Sequence, residues 1–243
     1  MAGHEKERQE RALITRVNMT VKQNKGNPIT IVTDGASIAG VIKAEKMRMT
    51  VRSGAEPYTD IILHLLTPKG KEKLHVSMKG CKSPSLAGGG ISGIDLVSPG
   101  LTRKFLKSVY ARLLGRLKAG DKVPDTFGRI SKLDRIKVVM GHPAMGGPID
   151  YLYIGPMTLT GDYSPTKNQL YLNGNMFVAK QYAQSHELYL RLRARSIDQR
   201  FDPSAKDMFG TPKIYGGFPG RPNSPGRVDV TDWVTRTAMI IQL

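Results

Sequence analysis

Cysteine is almost absent from this amino-acid sequence, which contains only Cys81 among its 243 residues. A single cysteine excludes an internal disulfide and a cysteine-based zinc site, and it is typical of proteins from reducing compartments. No apolar run approaches the roughly 18 residues that a bilayer span requires. The N-terminus "MAGHEKERQERAL" is too charged for a signal peptide. We therefore expect synthesis in the cytoplasm and no membrane partner.

Acidic residues are also scarce. Asp and Glu number 20 against 37 Lys and Arg, which gives a formal net charge of +17 and a pI near 10.0. So large an excess predicts a polyanionic partner, either nucleic acid or an acidic protein assembly. The alternative is a soluble basic protein whose charge only keeps it dispersed. Hydrophobic residues make up 40% of the chain, which is enough for a buried core.

The sequence lacks the common cofactor motifs. Its five histidines show no zinc-ligand spacing. The glycine-rich stretch "AGGGISG" lacks the Gly-Lys-Ser/Thr ending of a phosphate-binding loop. We therefore predict no small-molecule cofactor.

A glutamate lies within an apolar pattern soon after the turn-forming stretch "NKGNP". Thr33 or Asp34 is predicted to cap a helix there, because such side chains accept hydrogen bonds from the first free amides of a helix. An ionised carboxylate on an apolar helix face is costly unless it is paired or bound. Spacings of three and four residues place the following side chains on that predicted face: Ile38, Val41, Ile42, Glu45 and Met49.

Two consecutive strands are predicted around the turn "TPKGKEK". The first, "EPYTDIILHLL", contains Asp60, and the second, "KEKLHVSMKG", contains Ser77 and Lys79. Side chains alternate along a strand, so Leu74, Val76 and Met78 are predicted on one face and His75, Ser77 and Lys79 on the other. An antiparallel pair of these strands brings Asp60 close to Ser77 and Lys79.

This order of features resembles the PD-(D/E)XK, or restriction-endonuclease-like, superfamily. There, carboxylates hold a divalent metal that activates water, and a lysine positions or deprotonates that water. The resemblance implies catalytic roles for Asp60, Lys79 and Glu45, and Mg²⁺ ligation by Asp60 and Glu45 if the site is active. Ser77 departs from the motif, which has Asp or Glu there, and a hydroxyl is a weaker magnesium ligand.

Three interpretations of this departure stay open. Glu45 supplies the missing carboxylate, the metal site has decayed while the scaffold persists, or the three charged residues form an ordinary salt-bridged group.

A narrower resemblance involves a group of tailed-bacteriophage proteins. Its members share a strand aspartate, an S-x-K strand, a Gly-Gly-(I/V)-Ser element, a Leu/Arg-alternating strand and a Gly/Pro-rich tail. The corresponding stretches here are "HVSMKG", "GGGIS" and "LYLRLRARS", within about residues 34–200, followed by the tail "GTPKIYGGFPGRPNSPGR". This resemblance implies a phage gene product in which serine at position 77 is usual.

A basic helix and an arginine-rich strand are the candidate polyanion surfaces, since phosphate contacts require Lys and Arg. Leu101, Phe105, Val109 and Leu113 recur every four residues and predict an amphipathic helix whose outer side is basic. The candidate residues are Arg103, Lys107, Arg112 and Arg116 on this helix and Arg191, Arg193 and Arg195 on the strand. A solvated charged face without a ligand is the alternative.

The sequence therefore predicts an α/β protein with a restriction-endonuclease-like core, in which helices flank a mixed sheet. A β-hairpin is expected at "NQLYLNGNMFVAKQY", with Asn173-Gly174 as its turn. The predicted domains are an N-terminal arm (1–30), the core (31–200) and a Gly/Pro-rich C-terminal tail (201–243).

Three functions are compatible with these features. The leading one is an inactive structural component of a tailed-phage particle, in its neck, tail or baseplate region, with other phage structural proteins as partners. The others are a Mg²⁺-dependent DNA endonuclease and a non-catalytic DNA-binding protein.

Overall fold

A computed structural model describes residues 2–50, 57–80, 90–119, 126–156, 158–192, 227–230 and 239–243. The chain forms two compact units, one within Met1–Pro84 and Met140–Tyr182 and the other within Ser85–Val139 and Ala183–Leu243. In these ranges, no helix combines the length and apolar character needed to cross a membrane.

The helices and strands follow one another in an irregular order along the chain. The helices are α1 (Ala2–Gln23), α2 (Gly90–Val97), α3 (Leu101–Ala119), α4 (Lys132–Met140) and α5 (Ala179–Ser185). The strands are β1 (Ile29–Asp34), β2 (Ala36–Lys46), β3 (Ile61–Thr67), β4 (Gly70–Gly80), β5 (Thr126–Arg129), β6 (Tyr151–Gly155), β7 (Gly161–Ser164), β8 (Gln169–Val178), β9 (Leu188–Leu192), β10 (Arg227–Val230) and β11 (Met239–Gln242).

The first unit is a closed β-barrel. Six strands pair in the order β1-β2-β3-β4-β6-β8, and β8 returns to pair with β1 in parallel, while β7 adds a seventh strand against β8. The predicted restriction-endonuclease-like core, an open mixed sheet flanked by helices, is therefore wrong. The β1–β8 pairing makes the difference, because it joins the two edges that an open sheet leaves free.

A bend in β8 allows this closure. Its first half pairs with both β1 and β7, and its second half pairs with β6. The predicted hairpin turn at Asn173-Gly174 is wrong, because these residues lie inside the continuous strand. Gly174 has a φ of 93°, and a Cβ there would lie 2.7 Å from the Tyr153 hydroxyl. The glycine thus bends the strand and admits the tyrosine ring.

The predicted helix after residue 34 is also wrong, since these residues form strand β2. Asp34-Gly35 is a two-residue turn between β1 and β2, with Thr33 paired to Ala36 and Gly35 at a φ of 94°. The β-branched residues Ile38, Val41 and Ile42 favour a strand. Glu45 is therefore a strand residue, paired with Ile62 of β3.

Helix α1 packs against the barrel core. Its buried residues Leu13, Val17 and Val21 recur every four positions and join Ile31, Leu63, Val76 and other buried residues in one hydrophobic cluster. The predicted N-terminal arm (1–30) therefore contains a helix that packs on the barrel core. Burial of such side chains stabilises a fold by about 2 kcal/mol each.

The second unit contains a four-stranded sheet in the order β10-β9-β5-β11. Helix α3 confirms the predicted amphipathic helix, because Leu101, Phe105 and Val109 are buried. Gly128 of β5 leaves room for the Phe105 ring, since a Cβ there would lie 2.6 Å from it. The predicted C-terminal tail (201–243) contributes strands β10 and β11 to this sheet. The predicted domain boundaries at residues 30 and 200 stay predictions.

Candidate functional site at Asp60

Asp60 directly precedes β3, and its main chain is held by strands on both sides. Its amide donates to the Val76 carbonyl over 3.0 Å, and its carbonyl accepts from the Met47 amide, also over 3.0 Å. Both bonds extend the pairing of β3 with its neighbours beyond the end of the strand. The backbone therefore fixes the place from which the carboxylate projects.

Three polar groups lie close to one oxygen of the Asp60 carboxylate, Oδ2. Oδ2 accepts hydrogen bonds from the Ser77 hydroxyl over 3.1 Å and from the Met78 amide over 2.6 Å. The Lys79 ammonium lies 3.9 Å from the same oxygen. The side chains of Asp60 and Lys79 are 6% and 10% exposed, so this ion pair is largely removed from water. A carboxylate in such surroundings is stable because donors and a cation compensate its lost hydration.

The predicted alternation along β4 is confirmed. Val76 and Met78 lie in the barrel core, and Leu74 packs against it. Ser77 and Lys79 alternate with these residues and meet Asp60 on the opposite face. The structure thus brings together the aspartate, serine and lysine of the sequence motif.

The contact explains why serine suits position 77. Its hydroxyl donates to Asp60 Oδ2, whereas a carboxylate at this position has no hydrogen to donate when ionised. Two carboxylates so close together repel each other, and one of them then takes up a proton or binds a cation. Ser77 therefore supplies a hydrogen-bond donor where a second carboxylate would add a negative charge.

Glu45 does not join this group. Its Oε2 lies 2.6 Å from the Lys43 ammonium, and its Oε1 lies 2.9 Å from Nε2 of His64. The hydrogen bonds from Lys43 and His64 lower the pKa of Glu45 to about 2. Glu45 is thus an ionised residue at the barrel surface, in a polar cluster of its own.

Asp60 and Glu45 have separate partners in the structure, and their predicted Mg²⁺ ligation stays a prediction. Mg²⁺ requires oxygen ligands in near-octahedral arrangement, commonly from one or two carboxylates. Within the described ranges, no group of three or more His, Cys, Asp or Glu side chains could hold a metal. Asp60 Oδ2 already serves Ser77 and Met78, and Glu45 contacts Lys43 and His64. The arrangement favours a carboxylate that ties β3 to β4.

The loop before β6 contacts the two residues that precede Asp60, and these contacts were not predicted from the sequence. The Tyr58 amide donates to the Met145 carbonyl over 2.8 Å, and the Thr59 hydroxyl donates to the Gly146 carbonyl. Gly141 lies against the Tyr58 ring, where a Cβ would approach within 2.5 Å. Burial raises the pKa of the Tyr58 phenol. The glycines of "GHPAMGG" were the available signal, because close backbone approach requires them.

The candidate polyanion residues lie in the second unit. Arg103, Lys107 and Arg112 are exposed on α3, and Arg116 also belongs to this helix. Arg191 belongs to β9, while Arg193 and Arg195 lie outside the described residues. Tyr189 of β9 is buried, and the centre of its ring lies 6.1 Å from that of Phe127. Helix α3 is therefore the better described basic surface.

Comparisons of the chain with models of known protein families, with characterised proteins and with solved structures find no match.

Proposed function

We propose that this protein is a non-catalytic structural component of a tailed-bacteriophage particle. It would be made in the host cytoplasm and incorporated into the neck, tail or baseplate region of the virion, in contact with other phage structural proteins. The observation that carries the non-catalytic part is the Asp60 carboxylate, whose Oδ2 is engaged by Ser77, Met78 and Lys79. A carboxylate so engaged serves as a link between strands.

The phage part of the proposal is supported by short motifs. The S-x-K strand and the Leu/Arg-alternating strand correspond to β4 and to the region of β9. Serine in the S-x-K motif has a structural role here, because it donates to Asp60. This role agrees with the resemblance to the tailed-bacteriophage group, in which serine is usual at this position of the motif.

Mass spectrometry of purified phage particles tests the location. We expect this chain at a fixed ratio to the other structural proteins of the particle. Its absence from particles, combined with its presence in infected cells, would contradict the structural assignment.

A plasmid-nicking assay with Mg²⁺ or Mn²⁺ tests the lack of catalysis. We expect the wild-type protein to leave supercoiled DNA intact. Metal-dependent cleavage that is lost in both Asp60→Asn and Lys79→Gln would instead establish an endonuclease. A metal-dependent endonuclease is the second candidate function. One observation favours it: Lys79 lies 3.9 Å from Asp60 on the outer face of the barrel.

Helix α3 supports a contact with DNA or with an acidic protein surface. It carries Lys or Arg at six positions and has no acidic residue: Arg103, Lys104, Lys107, Arg112, Arg116 and Lys118. A cationic helix face neutralises phosphates and releases counterions, so that its affinity for DNA falls steeply with salt.

A triple variant tests this contact with DNA. Changing Arg103, Lys107 and Arg112 to Gln should weaken duplex binding and reduce the slope of log affinity against log salt by about 3. The matched control removes the same charge from exposed lysines of the first unit, with Lys22, Lys25 and Lys69 changed to Gln. Equal losses in both triple variants would indicate a nonspecific effect of net charge, and an acidic protein would then be the expected partner of α3.

A further inference from the structure

The second unit contains a cavity of about 220 Å³ that the functions above do not use. It lies beside the last residue of β5, the start of α4 and the end of β11. Its described lining residues are Arg129, Ile130, Ser131, Lys132, Arg135, Glu187, Gln242 and Leu243.

The charge of this lining is predominantly positive. Arg129, Lys132 and Arg135 supply three cations, and Glu187 supplies one carboxylate. Glu187 lies 3.0 Å from Nη2 of Arg129 and accepts a hydrogen bond from the Tyr189 hydroxyl over 2.8 Å. Glu187 is the one acidic side chain among the described lining residues, so the lining side chains carry a formal excess of positive charge, which attracts anions.

The two guanidinium groups are held in place by the protein itself. Nη2 of Arg129 donates to the Tyr189 hydroxyl over 3.3 Å, and the Arg129 guanidinium lies 5.8 Å from the centre of the Tyr189 ring. Nη1 of Arg135 donates to the His186 carbonyl. Among the residues that the structure describes, no hydrogen-bond partner exists for the buried Nε atoms of the two arginines. Arginines that are already positioned lose less conformational entropy when an anion binds.

The start of α4 places Lys132 at the cavity. The Ser131 hydroxyl accepts from the Asp134 amide over 3.1 Å and donates to the Asp134 carboxylate over 2.7 Å, which caps the helix. Asp134 also accepts from Ser98 over 2.9 Å and is not among the cavity-lining residues. Lys132, the first residue of α4, is exposed at the cavity.

We propose that this cavity binds a phosphoryl group, either of a free phosphate compound or of a nucleic-acid strand. Guanidinium groups present paired donors that match the oxygens of phosphate. Two positive charges in excess of Glu187 match a dianion, and the volume exceeds that of a single phosphate ion. The proposal does not depend on α3 or on the Asp60 cluster.

Isothermal titration calorimetry of the full chain tests the proposal, with inorganic phosphate, pyrophosphate and a short single-stranded oligonucleotide as ligands. These ligands distinguish a free phosphate compound from a nucleic-acid strand. We expect binding of pyrophosphate at low salt, and Lys132→Gln and Arg135→Gln should each weaken it about tenfold. Glu187→Gln should strengthen it several-fold, because it removes the carboxylate that competes for Arg129. Lys137→Gln is the matched control on the same helix and should leave the affinity unchanged.

Lys132 is exposed, so its variant is expected to fold even if Arg135→Gln does not. The proposal is overturned if the wild-type chain binds neither pyrophosphate nor the oligonucleotide, or if Lys137→Gln weakens binding as much as Lys132→Gln. Binding of the oligonucleotide but not of pyrophosphate assigns the site to a nucleic-acid phosphate, and the reverse assigns it to a free phosphate compound. The α3 triple variant should keep its pyrophosphate affinity, so failure here is distinguishable from failure of the α3–DNA contact.

Discussion

Ser77 donates a hydrogen bond to Oδ2 of Asp60 over 3.1 Å, at the position where the nuclease motif has a second carboxylate. The contact connects β4 to the residue before β3 on the outer face of the barrel. Lys79 lies on the same face and approaches the same oxygen. Four predictions follow from this cluster, from Glu45 and from the barrel backbone.

Replacing Ser77 with Asp should destabilise the fold more than replacing it with Ala. The Ala variant loses one hydrogen bond, worth about 1 kcal/mol. The Asp variant also places a like charge next to Asp60, and this repulsion disappears when one carboxyl group is protonated. Urea unfolding at pH 7 and pH 4 is the measurement, and the excess cost of Ser77→Asp over Ser77→Ala should shrink at the lower pH. A pH-independent difference would contradict the electrostatic explanation.

Removing the Asp60 carboxylate should reduce the free energy of unfolding by about 3 kcal/mol, because breaking a buried charge pair is costly. Asp60→Ala takes away the acceptor of Ser77 and Met78 and the carboxylate next to Lys79. Chemical denaturation checks this, with the exposed Asp162→Ala on β7 as control. Surface substitutions usually change the free energy of unfolding by no more than about 0.5 kcal/mol. If Asp60→Ala and Asp162→Ala lose amounts that agree within this range, the Asp60 cluster has no stabilising role.

Glu45 should make stability depend on pH in a defined direction. Its pKa of about 2 in the folded protein lies below its ordinary value of 4.5, so folding favours its ionised form. The stability advantage of wild type over Glu45→Gln should be fully present above pH 4.5 and be lost as the pH falls towards 2. Denaturation midpoints across this range are the measurement.

The Lys43→Gln background supplies the control for Glu45, because the hydrogen bond from Lys43 is the largest cause of the lowered pKa. In that background, the pH-dependent part of the Glu45→Gln effect should be smaller. An unchanged effect would assign the pH dependence to other groups.

Gly40→Ala should cost clearly more stability than Gly26→Ala, although the two glycines have nearly equal φ angles of 79° and 81°. A Cβ on Gly40 would lie 2.5 Å from the Leu66 carbonyl oxygen, whereas a Cβ on Gly26 meets nothing within 4 Å. The Gly26 variant therefore measures the conformational cost alone, about 1 kcal/mol. We expect at least about 2 kcal/mol more for Gly40→Ala in a thermal or chemical unfolding experiment, since backbone cannot move aside cheaply.

The sequence predicted the β3-β4 region well because its determinants are local. A short turn joins two strands with clear alternation, and Thr67 pairs with Gly70 as expected for a tight hairpin. The proximity of Asp60, Ser77 and Lys79 follows from that register. Contacts across a short hairpin require no knowledge of the remaining fold.

Strand β2 misled the sequence analysis for a physical reason. Its register shifts twice, between Ile38 and Val41 in the pairing with β1 and between Val41 and Lys43 in the pairing with β3, and these irregularities break the two-residue alternation. Apolar residues at positions 38, 41 and 42 then follow spacings of three and four, which also characterise a helix. The Asp34-Gly35 dipeptide was a hairpin signal that outweighs such a pattern.

The segment "IKVVMG" shows a similar ambiguity, because its apolar run is typical of a strand while the structure places most of it in α4. Short apolar runs do not distinguish a buried strand from a buried helix segment. No local sequence pattern predicts closure of the barrel. The closing pairing joins residues that are far apart in the chain, such as Thr30 and Gln169.

The parallel β1–β8 pairing also constrains how the protein acquires its structure during translation. A ribosome that has released β1 to β4 must still synthesise the segment Ser85–Val139 of the other unit before β6 and β8 emerge. Pairings so distant in sequence form slowly, because a long loop must close before they contribute any stability. Nascent chains that end before residue 169 should therefore expose the unpaired edge of β1, and a chaperone or a rapid rate of elongation would protect the chain during that interval.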